Sequence, residues 1–376
     1  MELKSRIPDE ATLESVLLAD LPATTQSVKN KVGNIEAEYI SYRRKQRLVA
    51  LSLFMILIIP SIFFFVFGSL LSNSVSIWSG VIGTLIFAAS IGVFIYFGAV
   101  AFMRGAQVVK AFHGQIDKVL FQKIFELLGV TGSLIEHTTS ISERTFPDTK
   151  FGRIRALFHK YRQLTEPSIE AKGMLDVLRA SELITEPFNT TKVDNLFRIK
   201  ASEGDRELVA GELDIRNITG SGKNRHEKHI FKGYFISYEL PHTLDGKTFV
   251  STEGDESGFG HKQFWLHSEA LLPSETILEW AEFENLLHVM TTDKIEARYI
   301  LTPNFMSDLY DWWKDKKRNT RISFIKDRMY LLFPDNQIRL NDSVANIDEE
   351  EVKQYMLTIA RPLLHVLHLI EDVRMS

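Results

Sequence analysis

Apolar residues recur at helical spacing at the start of this chain, with Val28, Val32, Ile35, Tyr39 and Tyr42 on one side of a predicted helix. Pro22 is expected to separate it from a shorter helix over Thr12 to Leu18. The alternation with polar positions then stops. From Leu48 to Met103 the sequence contains no Asp, Glu, Lys, Arg or His. Two apolar runs, 48–71 and 77–103, are joined by the uncharged residues Ser72 to Ser76. Each run exceeds the ~20 residues with which a helix crosses a hydrocarbon layer about 30 Å thick, so the pattern predicts a transmembrane helical hairpin, with a buried core hairpin as the alternative. Helical spacing resumes in Val108, Phe112, Ile116, Val119, Leu120, Ile124 and Leu127, ending near Gly129. This second helix is expected to pack on the first as a stalk.

Thr131 to Pro147 is rich in Ser, Thr and Gly and reads as a linker. Ile154 to Leu164 and Ser168 to Leu178 read as helices, with Pro167 opening the second. Near Asn195 the period shortens to two. Strands are predicted from Leu196, then over Glu207 to Asp214, Ile230 to Glu239, Thr248 to Thr252, Lys262 to His267 and Glu284 to Thr292, with turn residues clustered between them. Thr302-Pro303 has the cap and first-turn residues of a helix running to about Lys317. Arg321 to Ile325 and Met329 to Phe333 form a hairpin around Lys326-Asp327-Arg328. A last helix starts at Asp348, with Glu351 at capping-box spacing and the stripe Val352, Met356, Ile359, Leu363, Val366 and Ile370. Its Pro362 is expected to bend it. The fold class expected is α+β: an N-terminal two-helix transmembrane hairpin with a helical stalk, then a domain with a mostly antiparallel sheet and a C-terminal helix. The expected divisions are an N-terminal helical segment (1–47), the hairpin (48–103), stalk and linker (104–185) and a cytoplasmic α+β domain (186–376).

Charge sets the expected orientation. Arg43, Arg44, Lys45 and Arg47 precede the first run, and Arg104 and Lys110 follow the second. The positive-inside rule then places both termini in the cytoplasm of a two-span protein of the inner membrane, with the lipid bilayer as a partner. Eight of the 44 basic and seven of the 48 acidic residues lie before residue 48, leaving 36 against 41 beyond it. That acidic remainder argues against nucleic acid as a partner, because phosphate binding needs an excess of cations. The chain has no cysteine, which excludes disulfides, thiol nucleophiles and cysteine-based metal centres.

Several short matches to chemical motifs are incomplete. Gly220-Ser221-Gly222-Lys223 lacks the earlier Gly and the following Ser or Thr of a phosphate loop, those positions being Asn217 and Asn224, and reads as a turn between strands. His226-Glu227-Lys228-His229 lacks zinc-protease spacing and a third ligand. His365 and His368 share a helix but would need ligands from elsewhere. Glu256-Ser257-Gly258 lacks the first Gly of a nucleophile elbow. Glu349, Glu350 and Glu351 suit the positive end of the last helix. No catalytic, cofactor-binding or metal residues are assigned, and no cofactor is expected.

Two clusters remain as candidate contact surfaces. Trp312 and Trp313 are adjacent on a predicted helix, so one joins Met306 and Leu309 in the core while the other is a candidate exposed aromatic. With Lys314, Lys316, Lys317, Arg318 and Arg321 they make a candidate contact for lipid headgroups or a protein partner, the alternative being cations that favour a helix C-terminus. Gly80, Thr84, Ala88 and Gly92, four apart, form a candidate helix-packing face, serving either the hairpin itself or a homo-oligomer.

Specific residues also carry a family resemblance. Phe231-Lys232-Gly233-Tyr234-Phe235, Glu282-Phe283-Glu284, Glu296-Ala297-Arg298-Tyr299-Ile300-Leu301-Thr302-Pro303 and the hairpin Ser323-Phe324-Ile325 to Met329-Tyr330-Leu331 resemble the bacterial "domain of unknown function 3137" family over about residues 180 to 340. The resemblance implies a membrane-anchored cytoplasmic domain and a LemA-like membrane protein as partner, and it transfers no catalytic residue. The function expected is a binding or scaffold module that engages a protein partner at the inner membrane. A membrane-associated enzyme and an oligomeric membrane-perturbing effector are the alternatives.

Overall fold

The computed structural model describes residues 7–31, 33, 44, 114–142, 169–200, 206–220, 224–252, 283, 287–316, 320–334 and 348–375. The chain divides into two compact units, one of Met1–Val28 with Ile116–Ser376 and the other of Lys29–Gln115. In the second unit the described residues are few. Both expected spans, 48–71 and 77–103, and the packing face Gly80, Thr84, Ala88 and Gly92 lie outside them.

Among the described residues no helix is long and apolar enough to cross a membrane. This corrects the expected fold class: among the described residues what stands is an α+β unit built on an antiparallel sheet, with no transmembrane hairpin. The multi-pass inner-membrane location, the bilayer and the LemA-like membrane protein as partners, and the membrane-anchored and membrane-perturbing functions lose their support with it.

The first unit begins with residues 10–28 of helix α1, which spans 10–31. Asp9 caps it, its carboxylate accepting from the Thr12 amide at 2.7 Å. The helix runs through Pro22, where the sequence suggested a break. Leu13, Leu17, Leu21 and Val28 are buried on one side while Pro22 lies on the exposed side, so packing of the stripe outweighs the ~3 kcal/mol helix penalty of proline. Helix α2, residues 114–127, ends at Gly129, whose φ of 67° forms a left-handed cap. The Val130 amide donates to Phe125 O and the Gly129 amide to Glu126 O, the paired bonds of a Schellman ending.

Strands β1 (Thr131–Ser142), β2 (Thr190–Lys200), β3 (Glu207–Thr219) and β4 (His226–Glu239) form a meander, with α3 (Ile169–Ala180) between β1 and β2. They are followed by β5 (Lys247–Thr252), β6 (Leu287–Thr291), α4 (Lys294–Ile300), α5 (Pro303–Lys316), β7 (Arg321–Ile325), β8 (Arg328–Pro334) and α6 (Glu349–Met375). The sheet order is β1-β2-β3-β4-β8-β7-β5-β6, and every described pairing is antiparallel. β1 occupies most of the stretch expected as a linker. Its Ser and Thr residues suit a strand at the end of a sheet, and buried Ile141 anchors it.

Helices cover both faces of the sheet. On one, α3 lays Ala171, Met174, Leu175 and Leu178 against Val193, Leu213, Phe235 and Leu332. On the other, Phe305 and Trp312 of α5 reach Phe324 and Phe333, with ring centroids 5.9 and 5.1 Å apart. Phe121 and Phe125 of α2 close on Phe197 at 5.2 and 5.7 Å. Helix α1 is tied to these by Lys123–Asp20 at 2.6 Å and by Arg361 of α6, 2.8 Å from Glu10 and 3.3 Å from Glu14. The expected stripe of α6 is buried throughout, and the Glu351 amide donates to Asp348 at 2.8 Å as the capping box requires.

Candidate functional site

With both faces of the sheet roofed, side chains that can meet another molecule are found on the outer surfaces of helices and at strand ends. The short helix α4 stands out. Asp293 caps it with a carboxylate that accepts from the Ile295 amide at 2.8 Å and the Glu296 amide at 3.1 Å. Glu296 reaches across to the β4–β5 connection, accepting from the Asp245 amide at 2.9 Å and the Gly246 amide at 2.8 Å. Thr292 Oγ1 accepts from the Lys247 amide at 2.8 Å. A Cβ at Gly246 would lie 2.8 Å from Glu296 Oε2 and 2.9 Å from Asp293 Cβ, so the close approach of loop and helix requires glycine. Charge-assisted bonds to amides therefore fix about two turns of helix that could not hold their shape alone.

The face of α4 that these bonds hold outward is apolar and cationic. Ile295 is 70% and Tyr299 69% exposed, one helical turn apart, while Ala297 and Ile300 are buried beneath. Lys294 and Arg298 are exposed beside them. Single exposed apolar residues are ordinary on protein surfaces. Ile295 and Tyr299 differ in being adjacent and in riding on a clamped helix. The sequence pattern predicts a strand just before this segment, over Glu284 to Thr292, and assigns no element to the segment itself. The signal that reveals it is Asp293 followed three residues later by Glu296, at capping-box spacing.

Of the basic-aromatic cluster predicted farther on, the structure turns Trp312 and Arg321 inward. Trp312 is 4% exposed and packs edge-on against Phe333 and parallel to His365, whose ring centroid is 6.1 Å away. Trp313 is half-buried and Lys314 exposed, with the Lys314 ammonium 5.8 Å over the Tyr310 ring. The Lys316 side chain, Lys317 and Arg318 lie outside the described residues. Arg321 is 7% exposed and faces inward from β7, donating to Leu183 O at 2.9 Å. Burial pushes its guanidinium down to about 10, against the pull of Glu186. Its charge is used inside the unit, between the end of α3 and the sheet.

The other short motifs serve structure. Gly220, at φ 68°, turns the chain after β3, and residues 221–223 lie outside the described set. His226 to His229 open β4, where Glu227 takes Arg216 and Arg225, Lys228 pairs with Glu186, and His229 lies 3.4 Å from Asp214. Arg216 holds the Glu227 carboxyl below its usual range. Among the described residues no group of three or more His, Asp or Glu is placed to hold a metal ion.

Sequence reading missed a buried polar row. Register sets Asp194 of β2 opposite Glu212 of β3, and Glu212 opposite Tyr234 of β4, so the three share one face of the sheet. All are buried. Over that face the Tyr355 hydroxyl of α6 donates to Asp117 of α2 at 2.6 Å. Burial pushes the Tyr355 hydroxyl well above the ordinary tyrosine range, and Asp117, Tyr234 and Glu212 push it the same way. Tyr355 therefore stays protonated and donating.

These features define an antiparallel α+β domain with one clamped, exposed apolar helix face. Residues 229–375, from within β4 to the end of α6, match the model of the family described as "Protein of unknown function (DUF3137)". The α4 face and its clamp lie inside the matched residues. Comparison with curated proteins gives no match, and comparison with solved structures gives none.

Proposed function

We propose that this unit is a recognition module that binds another protein through the outer face of α4. The observation that carries the reading is the pair Ile295 and Tyr299, each more than two-thirds exposed on a helix held by Asp293 and Glu296. Tyrosine and arginine dominate the energetics of protein interfaces, and a pre-ordered surface loses less conformational freedom on binding. The bonds from Glu296 to two backbone amides supply that order.

A photo-reactive residue placed at Tyr299 in the full chain tests this, with one at Ile169 as control. Ile169 on α3 is 85% exposed and, among the described residues, has no such clamp. A discrete adduct of reproducible mass is expected from position 299 in cells and none from 169. No adduct at 299, or the same products from both positions, would overturn the reading.

A further inference from the structure

We infer that the partner segment which settles on α4 is acidic and amphipathic, carrying two apolar side chains spaced to cover Ile295 and Tyr299. This rests on the recognition reading and names the chemistry of its partner.

Each charge on the helix has a direction. Its carboxylates, Asp293 and Glu296, turn to backbone amides, at Ile295 and Glu296 for the first and at Asp245 and Gly246 for the second. Its cations, Lys294 and Arg298, stand exposed on the same short helix as the apolar pair. The charged side chains left exposed beside the apolar pair on this helix are therefore cations, in a chain whose net charge is −4. A basic partner would be drawn to the molecule as a whole but repelled here, whereas an acidic one finds its complement locally. Side chains one turn apart on a helix have Cβ atoms about 5–6 Å apart, so Ile295 and Tyr299 match two apolar residues at similar spacing in the partner. An interface of this kind is sensitive to salt, because its ion pairs sit at an exposed rim.

The test uses the full chain and two synthetic amphipathic peptides with leucines at i and i+4. One carries glutamates at the remaining charged positions and the other lysines. Fluorescence anisotropy should show the glutamate peptide binding at least about tenfold more tightly at low salt, with the advantage shrinking at about 0.5 M salt. The double substitution Lys294→Glu with Arg298→Glu should reverse the preference, and Tyr299→Ala should weaken the glutamate peptide. All three positions are exposed, and unchanged melting of the variants checks that the fold is intact. Equal binding of the two peptides, no binding of either, or an unaltered preference in the charge-reversed variant would overturn the inference. The recognition reading fails separately, through absence of the position-specific adduct at 299.

Discussion

The two faces of the sheet solve the same packing problem with different chemistry. Beneath α3 the contacts are nearly all apolar, from Val193 and Leu213 to Phe235 and Leu332, and the polar ties sit at the end of the helix. There the Ser323 hydroxyl donates to Ser181 O at 2.7 Å and Arg321 donates to Leu183 O. Beneath α2 and α6 the face carries the buried row Asp194, Glu212 and Tyr234, with Asp117 and Tyr355 above it. Apolar packing is tolerant of sliding, whereas a buried carboxylate accepts few geometries because a lost partner is expensive. The difference teaches that α3 is held chiefly by burial, while α2 and α6 are also held in register by polar bonds.

Substitutions on each face can break or sharpen that contrast. The largest effect is expected from Phe235→Ala on the α3 side. Phe235 is fully buried and stacks on Tyr330 at 6.2 Å, so its truncation should cost about 3–5 kcal/mol, seen as a lower urea midpoint with an unchanged slope. A loss near 1 kcal/mol would mean that the apolar face closes over the gap and does less than its burial suggests.

On the polar side, Tyr355→Phe removes the hydroxyl from which Asp117 accepts and should cost about 1–3 kcal/mol. Its dependence on pH separates it from simple packing loss. Folding raises the hydroxyl's ionisation above the unfolded value of about 10, so its contribution is complete below that pH. At higher pH the unfolded chain releases the proton first, and the stabilisation is lost as pH climbs through the raised folded value. Denaturation midpoints followed from neutral to alkaline pH should fall less steeply in the variant. Equal slopes for both proteins would show that Tyr355 does not set the alkaline limb.

The smallest effect is expected from Ser323→Ala, at about 0.5–1.5 kcal/mol, because it removes one neutral hydrogen bond at the end of α3. Hydrogen exchange should quicken at Ser181 to Leu183 and stay unchanged in α6. Quickening in α6 as well would mean that the two faces are mechanically coupled.

Elements whose signals are local were legible in the sequence. The β7–β8 hairpin follows from two apolar runs separated by Lys326 and Asp327, and the start of α6 follows from Asp348 and Glu351. The start of α5 follows from Thr302 and Pro303, with the Phe305 amide donating to Thr302 Oγ1 at 3.2 Å. By contrast, β1 was hidden because Ser and Thr serve linkers and end-of-sheet strands alike, and only pairing with β2 distinguishes them. Helix α4 was hidden because it is short and its clamp comes from a loop fifty residues earlier, at Gly246. The candidate patch around Trp312 was read from neighbours in sequence, yet Arg321 belongs to a strand that turns its side chain inward.

The sequence by itself determined where α3, β5, α5, β7 and β8 lie and where α6 begins, since caps, turns and periodicity act over a few residues. Tertiary structure alone decided which charges remain outside: Glu296 and Asp293 are drawn onto amides, Arg321 is folded inward, and Lys294 and Arg298 stay exposed beside Ile295 and Tyr299. The physical reason is that burial and hydrogen bonding of a charge depend on groups brought from distant segments, which no local pattern specifies.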